Sequence, residues 1–364
     1  MNKKAKVTIT DVAQSARVSV GTVSRVLNNH PEVNASIRAR VWQTARRLNY
    51  TRIRQRSVRS RARPADTRIG HIATVFFGMD NTLVHLPVVN AALQGIEGAL
   101  SAHGRSLMLA NIPKGERIPP FLLEEHRVVG VILKGPNQGL LPSPEENELL
   151  RRLYRLPHVW LMGQLPNATG DHCNFDTDAA GRLAAEHFHA KGHCRLAFFN
   201  PKPGQNQFER LKHAFCLAAR RQGSNVAVLE VPRPEKLEWP LPAITVEENV
   251  EVLVDRWRAM PANRRPTALF VPSDRTSVQF YAACARRDLR VGTDVSIVSC
   301  NNEQSLSATL HPALSSIDVH AEVIGRRTVE QLLWRMREPA GSPSCQILVE
   351  PTLVERASVA SLAS

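Results

Sequence analysis

From about residue 69 to residue 357, short apolar runs rich in β-branched and aromatic residues alternate with amphipathic helical stretches. The runs fall at 69–76, 107–110, 128–133, 159–162, 196–199, 226–231, 268–271 and 295–300. The helical stretches include 87–103, 178–191, 207–222, 246–258 and 276–286. A helix between two strands carries the chain back along the sheet, so the strands it joins run parallel. Repeated alternation therefore predicts parallel sheets covered by helices. Two series of it, divided near 166–171, predict two lobes. Ligands of such sheets sit beyond the carboxyl ends of the strands, which makes the cleft between the lobes the expected binding site.

The first 68 residues do not follow this pattern, and their charge sets them apart. They hold 16 of the chain's 47 Lys and Arg but 3 of its 33 Asp and Glu, which leaves 31 basic and 30 acidic residues for the rest. Almost all of the +14 net charge thus lies in the first fifth of the chain. A solvated surface needs no such asymmetry, whereas a nucleic-acid-binding head on a neutral core does. A membrane-surface arm would need bulky apolar residues opposite the charges, and 52–63 offers only Ile53 and Val58. No apolar run is long enough to span a bilayer. The basic start, Met1 to Lys6, is followed by Thr10, Asp11 and Gln14 rather than by an apolar stretch, so no secretory signal is expected and the chain is placed in the cytosol.

Within residues 1–50 three short helices are legible. Thr8 can cap the first, with Asp11 reaching back to it, and Ile9, Val12, Ala13 and Ala16 recur at helical spacing up to about Arg17. Ser19 opens a second helix through Val20, Thr22, Val23, Val26 and Leu27, ended by Asn28-Asn29-His30-Pro31. Asn34 caps a third that carries Ile37, Val41, Trp42, Ala45 and Leu48. A tight turn joins the first two, and the small Ala13 lets them cross closely. The second helix begins with small and polar residues suited to a groove, and a helix N-terminus is a natural phosphate site.

These stretches resemble the head of the LacI/GalR family of bacterial repressors. The resemblance rests on Thr10-Asp11-Val12-Ala13, Val18-Ser19, Thr22-Val23-Ser24-Arg25-Val26-Leu27-Asn28 and Leu48-Asn49-Tyr50, all at fixed spacing. It implies that Val20 and Gly21 occupy base-reading positions and that Arg25 contacts a base, with a guanine the natural bidentate partner. Ser19, Thr22, Ser24 and Asn28 would hold phosphates or cap the helix, and Thr8 joins the DNA-facing set. The alternative for each is a solvated helix surface. Arg17 stands where the family usually has Gly or Asn, and a left-handed conformation there would cost about 1–2 kcal/mol.

Residues 51–68 depart from the family. Arg52 replaces its proline and Arg59 the leucine that wedges into the minor groove, while Arg54, Arg56, Arg61, Arg63 and Arg68 complete a comb of arginines. Two readings stay open. One is a disordered basic linker. The other is an arm whose Arg52, Arg56 and Arg59 sense minor-groove width electrostatically.

The rest, 69–357 followed by a tail at 358–364, resembles the periplasmic-binding-protein-like core of the same family. Supporting stretches are Gly95-Ile96-Glu97, Gly192-His193, Arg210-Leu211, Pro266-Thr267-Ala268, Leu289-Arg290-Val291-Gly292, Pro312-Ala313-Leu314 and Leu353-Val354-Glu355-Arg356. The resemblance implies a homodimer, an effector such as a carbohydrate, and Arg210, Ser273, Asp274 and Asn301 as effector-binding residues. Asn301 stands where the family commonly has an aspartate, and Leu161-Met162-Gly163-Gln164 lacks another. The site is thereby less negative than a usual sugar site. A different sugar, a more anionic ligand or no ligand are the alternatives, with an interlobe ion pair the other role for Arg210 and strand-end capping for Ser273 and Asn301.

No catalytic site, cofactor or metal is expected. The chain has no G-x-x-x-x-G-K-[ST], G-x-S-x-G or H-E-x-x-H. His187, His189, His193 and Cys194 are the best metal-like group, but two residues apart on a helix are not neighbours, so a structural role is expected. The six cysteines are scattered with no C-x-x-C and are expected to be small core residues.

Overall fold

A computed structural model describes residues 7–27, 33–48, 70–78, 87–112, 118–124, 127–136, 138–163, 166–233, 247–339 and 341–362. Asn28, Arg52, Arg56 and Arg59, and the rest of the arginine comb, lie outside the described residues. The chain divides into two units, Met1–Arg68 and Ile69–Ser364.

In the first unit, α1 (Ile9–Ala16) starts at Thr8 with a complete capping box. The Thr8 backbone N–H and Oγ1 each donate to Asp11 Oδ2 at 2.7 Å, which holds the Asp11 carboxyl below the usual carboxylate range. Asn34 Oδ1 caps α3 (Ala35–Arg47) by accepting from the Ser36 N–H at 2.9 Å. Between them lies α2 (Val20–Leu27). Val12, Ala13, Ala16, Val23, Val26, Val41 and Ala45 form the shared core. Arg17 is left-handed, with φ 52° and ψ 49°, and its N–H closes the end of α1. Only glycine adopts that conformation freely. Arg17→Gly is therefore expected to stabilise the head by about 1 kcal/mol, read as slower hydrogen exchange of the α1 amides in the full-length protein.

The second unit contains two six-stranded sheets. The first sheet has β1 (His71–Phe77), β2 (Leu107–Ile112), β3 (Val128–Lys134), β4 (His158–Leu161), β5 (Asp171–Phe175) and β11 (Gln346–Val349), in the order β11-β5-β4-β3-β1-β2, all parallel. Successive residues turn to opposite faces. Val131 and Leu133 pack with Val75 and Trp160 on one side, and Ile132 with Ile72 and Val159 on the other. The second sheet has β6 (Arg195–Asn200), β7 (Asn225–Glu230), β8 (Ala268–Phe270), β9 (Ser296–Cys300), β10 (Ser315–Asp318) and β12 (Thr352–Val354), in the order β12-β10-β9-β8-β6-β7. It is parallel except for β12, which pairs antiparallel with β10.

Two expectations need correcting. The break does not fall at 166–171, because β5 belongs to the first sheet and the chain crosses after Phe175. Nor is there a single crossing. Helix α12 (Ala321–Arg335) packs against α4 (Pro87–Ala102) and against β3, β4 and β5 of the first lobe, so the chain returns after β10 and crosses again between β11 and β12. Lobe membership of these late segments follows from which sheet edge and helix face they cover, which local periodicity does not encode.

The α4–α12 crossing is very close. A Cβ on Gly95 would fall 2.0 Å from the Glu322 carbonyl oxygen, and one on Gly325 would fall 2.0 Å from that of Ala92. Among the cysteines, Cys173, Cys216, Cys284 and Cys300 are buried as expected of core residues, but Cys194 is exposed and Cys345 half-buried.

Candidate functional site

Helix α2 has two faces. Val23 and Val26 are fully buried in the head, which fixes the helix rotation and turns Val20, Gly21 and Arg25 outward. Val20 is 42% exposed, and a Cβ added at Gly21 would meet only Ser19 Oγ, at 3.7 Å. Ser19 Oγ accepts from the Thr22 N–H at 3.1 Å and lies 2.9 Å from Thr22 Oγ1, so these two hydroxyls cap the helix. Ser24 is half-buried on the flank. The helix thus offers a small, open leading edge followed one turn later by an exposed guanidinium, a shape suited to a major groove. Arg47 Nη2 donates to Ser15 Oγ at 2.8 Å and ties α3 to α1 behind it.

In the core the lobes meet through segments beyond the strand carboxyl ends. Gln138, past β3, bridges to Gln205, past β6. Gln207 Nε2, in α8 (Asn206–Arg221), donates to Asn174 Oδ1 at 3.5 Å. The Val88 N–H at the start of α4 donates to Glu303 Oε1 at 3.4 Å. The four expected effector residues are placed unequally around this cleft. Arg210 is exposed on α8; burial lowers the pKa of His172 in β5 to about 4, and the Arg210 charge acts in the same direction. Ser273 caps α10 (Asp274–Ala285), accepting from the Thr276 N–H at 3.3 Å. Asn301, half-buried after β9, has φ 109°, and Asn302 follows at φ 50°. Two consecutive non-glycine residues in this region store strain and commonly mark a functional loop.

Asp274 departs from the role expected of it. It is 0% exposed, Oδ1 accepts from Ser316 Oγ at 2.7 Å and Oδ2 from the Glu303 N–H at 2.6 Å. Burial nevertheless raises its pKa to about 6. It holds the wall of the cleft instead of lining it. Glu303, raised to about 7 by burial and by the charge of Asp274, is a site residue that sequence reasoning missed.

His193 is structural. Its Nε2 lies 3.0 Å from the Ala360 carbonyl, which can only accept, so Nε2 carries the proton and Nδ1 accepts from Thr267 Oγ1 at 2.9 Å. His187 is buried and His189 exposed, on different sides of α7 (Thr177–Ala190). No helix among the described residues is long and apolar enough to cross a membrane.

The fold and site together define a helix-turn-helix DNA-binding regulator built on a periplasmic-binding-protein-like core. Residues 8–52 match the model of the bacterial regulatory proteins of the lacI family, and residues 185–359 match that of the periplasmic binding protein-like domain. The chain thus carries a DNA-binding domain of the lacI family ahead of a periplasmic binding protein-like domain. It is 28% identical over 359 residues to the HTH-type transcriptional repressor PurR of Aliivibrio fischeri, covering 97% of this chain and 98% of that one. It is 24% identical to the ribose operon repressor of Escherichia coli, covering 96% and 99%. Among solved structures, a lac repressor dimer bound to operator and the anti-inducer ONPF aligns with TM-score 0.60 at 21% identity, covering 98% and 100%. The complex of the transcriptional regulator CelR with cellobiose aligns at 0.61 and 19%, covering 97% and 99%. The chain is a transcription regulator and not an enzyme.

Proposed function

We propose that the protein is a cytoplasmic repressor that binds a pseudo-palindromic operator as a homodimer and answers to a small sugar-like effector in the interlobe cleft. The observation that carries the reading is the split of α2 into a buried face, Val23 and Val26, and an outward face, Val20, Gly21 and Arg25. Two such heads related by a twofold axis would address two half-sites in successive major grooves. An operator-bound dimer and a cellobiose complex among the structural neighbours support the dimer and the sugar-like effector. Arg52, Arg56 and Arg59 would add phosphate and minor-groove contacts that raise affinity without base readout.

Operator selection tests this. Full-length protein is presented with fragments of its source genome near physiological salt, and bound fragments are searched for an inverted repeat. A shared repeat is expected, and Arg25→Ala should cost about 1–3 kcal/mol on it while leaving random DNA almost unaffected. Equal affinity for random and selected DNA, with steep salt dependence for both, would favour the second reading, an arginine-driven non-specific binder.

A further inference from the structure

Glu303 is an acid that joins the two lobes and is only half satisfied. It follows β9 in the second lobe and is 6% exposed. Its Oε1 accepts from the N–H of Val88, the second residue of α4 in the first lobe, at 3.4 Å. Its Oε2 is buried, and no donor among the described residues reaches it. The Glu303 N–H donates to Asp274 Oδ2 at 2.6 Å, so a second buried carboxyl group stands directly behind it. Asp274 also accepts from Ser316 Oγ at 2.7 Å, so these partners of Asp274 belong to the second lobe. Other contacts across the mouth of the cleft are polar, such as Gln138 with Gln205 and Gln207 with Asn174. A polar interface of this kind leaves domains able to move against each other.

The groups that surround Glu303 come from few elements. From α10, Asp274 and the exposed Arg275 act on it through their charges. From β9, the Cys300 thiol is fully buried, which pushes it well above its usual value and keeps it neutral. From α4, the stretch Pro87 to Ile96 carries no titratable side chain. A carboxyl group shut away from water beside another, with one oxygen lacking a donor, favours holding a proton.

We propose that Glu303 is a proton-operated latch between the lobes. When the lobes close, its carboxyl group is enclosed against the start of α4 and takes a proton from solvent. When they open, water solvates the carboxylate and the proton leaves. Because Oε1 accepts from Val88, the proton belongs on Oε2, and the acid form keeps the Val88 contact through its carbonyl oxygen. In the closed form burial and the Asp274 charge raise the Glu303 pKa to about 7, against the opposing pull of the Val88 N–H and of Arg275. In an open cleft the value falls back toward the ordinary 4.5. The state with the higher pKa binds the proton, so closure is favoured as pH falls through about 7. Asp274 keeps its second-lobe partners whether the cleft is open or closed, so its own titration does not drive the motion. The latch works whether or not the cleft takes an effector.

The test uses full-length protein in which Cys194→Ser and Cys345→Ser leave only buried cysteines. Nitroxides are placed on Glu145→Cys in the first lobe and Arg221→Cys in the second, both exposed positions. Labelled chains are diluted with unlabelled ones, so that dipolar spectroscopy reads distances within one chain. No DNA or sugar is present, so failure of the operator or effector reading leaves this result untouched. The ratio of closed to open cleft should rise about tenfold from about pH 8 to about pH 6. Glu303→Gln fixes the neutral form and should stay at the closed ratio of the acid sample across the whole range. Asp274→Asn removes a charge that raises Glu303, and should keep the direction of the response with its midpoint at lower pH. A wild-type ratio that stays constant or rises with pH overturns the proposal, as does an equal response in Glu303→Gln. If Glu303→Gln does not fold, Asp274→Asn carries the comparison, and an unshifted midpoint overturns the proposal.

Discussion

Asp171→Ala is expected to lower the stability of the core by about 3–5 kcal/mol, read as a fall in the urea midpoint with little change in the m-value. Asp171 is 0% exposed at the start of β5. Its Oδ1 accepts from Arg335 Nη2 at 2.5 Å and from the Cys345 N–H at 2.8 Å, and its Oδ2 from Arg335 Nε at 2.8 Å and Gln331 Nε2 at 2.7 Å. This group therefore anchors the end of α12 and the start of β11 to the first lobe. Truncation would leave a guanidinium, 15% exposed, facing an apolar gap. Burial works against the Asp171 charge, but the bonds from Arg335, Gln331 and the Cys345 N–H outweigh it and hold the pKa below the ordinary value. A depressed folded pKa means that this stabilisation is full above the unfolded value of about 3.9 and is lost as pH falls through the lower folded value. Asp171→Leu with Arg335→Met should recover much of the loss, because the penalty belongs to the orphaned partner more than to the absent pair.

The second large effect is expected at the α4–α12 crossing. Gly325→Val should destabilise by about 3 kcal/mol or more, at the upper end of overpacking penalties, because the added atoms meet backbone, which cannot swing aside. On propensity alone the sign would be reversed, since glycine inside a helix is about 1 kcal/mol worse than alanine. A Cβ at Gly325 would lie 2.0 Å from the Ala92 oxygen, and the reciprocal contact at Gly95 has the same separation. The two helices must part by the same motion to admit either side chain. Gly95→Ala and Gly325→Ala should therefore be subadditive in a double-mutant cycle by chemical denaturation. Full additivity would show that the two sites relax independently.

What the residues disclose locally and what they do not divides along a physical line. The head was legible because its determinants are short-ranged: Thr8 with Asp11, Ser19 with Thr22 and Asn34 with Ser36 lie two or three residues apart. The strand runs of the core are marked by their own apolarity, and the clustering of charge before residue 69 assigns the DNA-facing part without any tertiary contact. The short or edge strands β5, β10, β11 and β12 escaped, as did α12, whose helical period carries buried Ile324, Val329 and Leu332.

The cleft followed the opposite rule. Ser273, Asp274 and Asn301 follow strand ends, but only packing shows that both oxygens of Asp274 are spent inside the lobe. The loops after β3 and β6 show no sign in the sequence that Gln138 and Gln205 join them. Gly95 and Gly325 are 230 residues apart in the chain, and nothing in either neighbourhood requires glycine. The chain by itself determined the head, its charge and the parallel α/β character of the core, because caps, periodicity and composition act within a few residues. Tertiary structure alone decided which lobe each late segment joins and which acids are spent, because burial and pairing depend on neighbours that the sequence separates by tens to hundreds of residues.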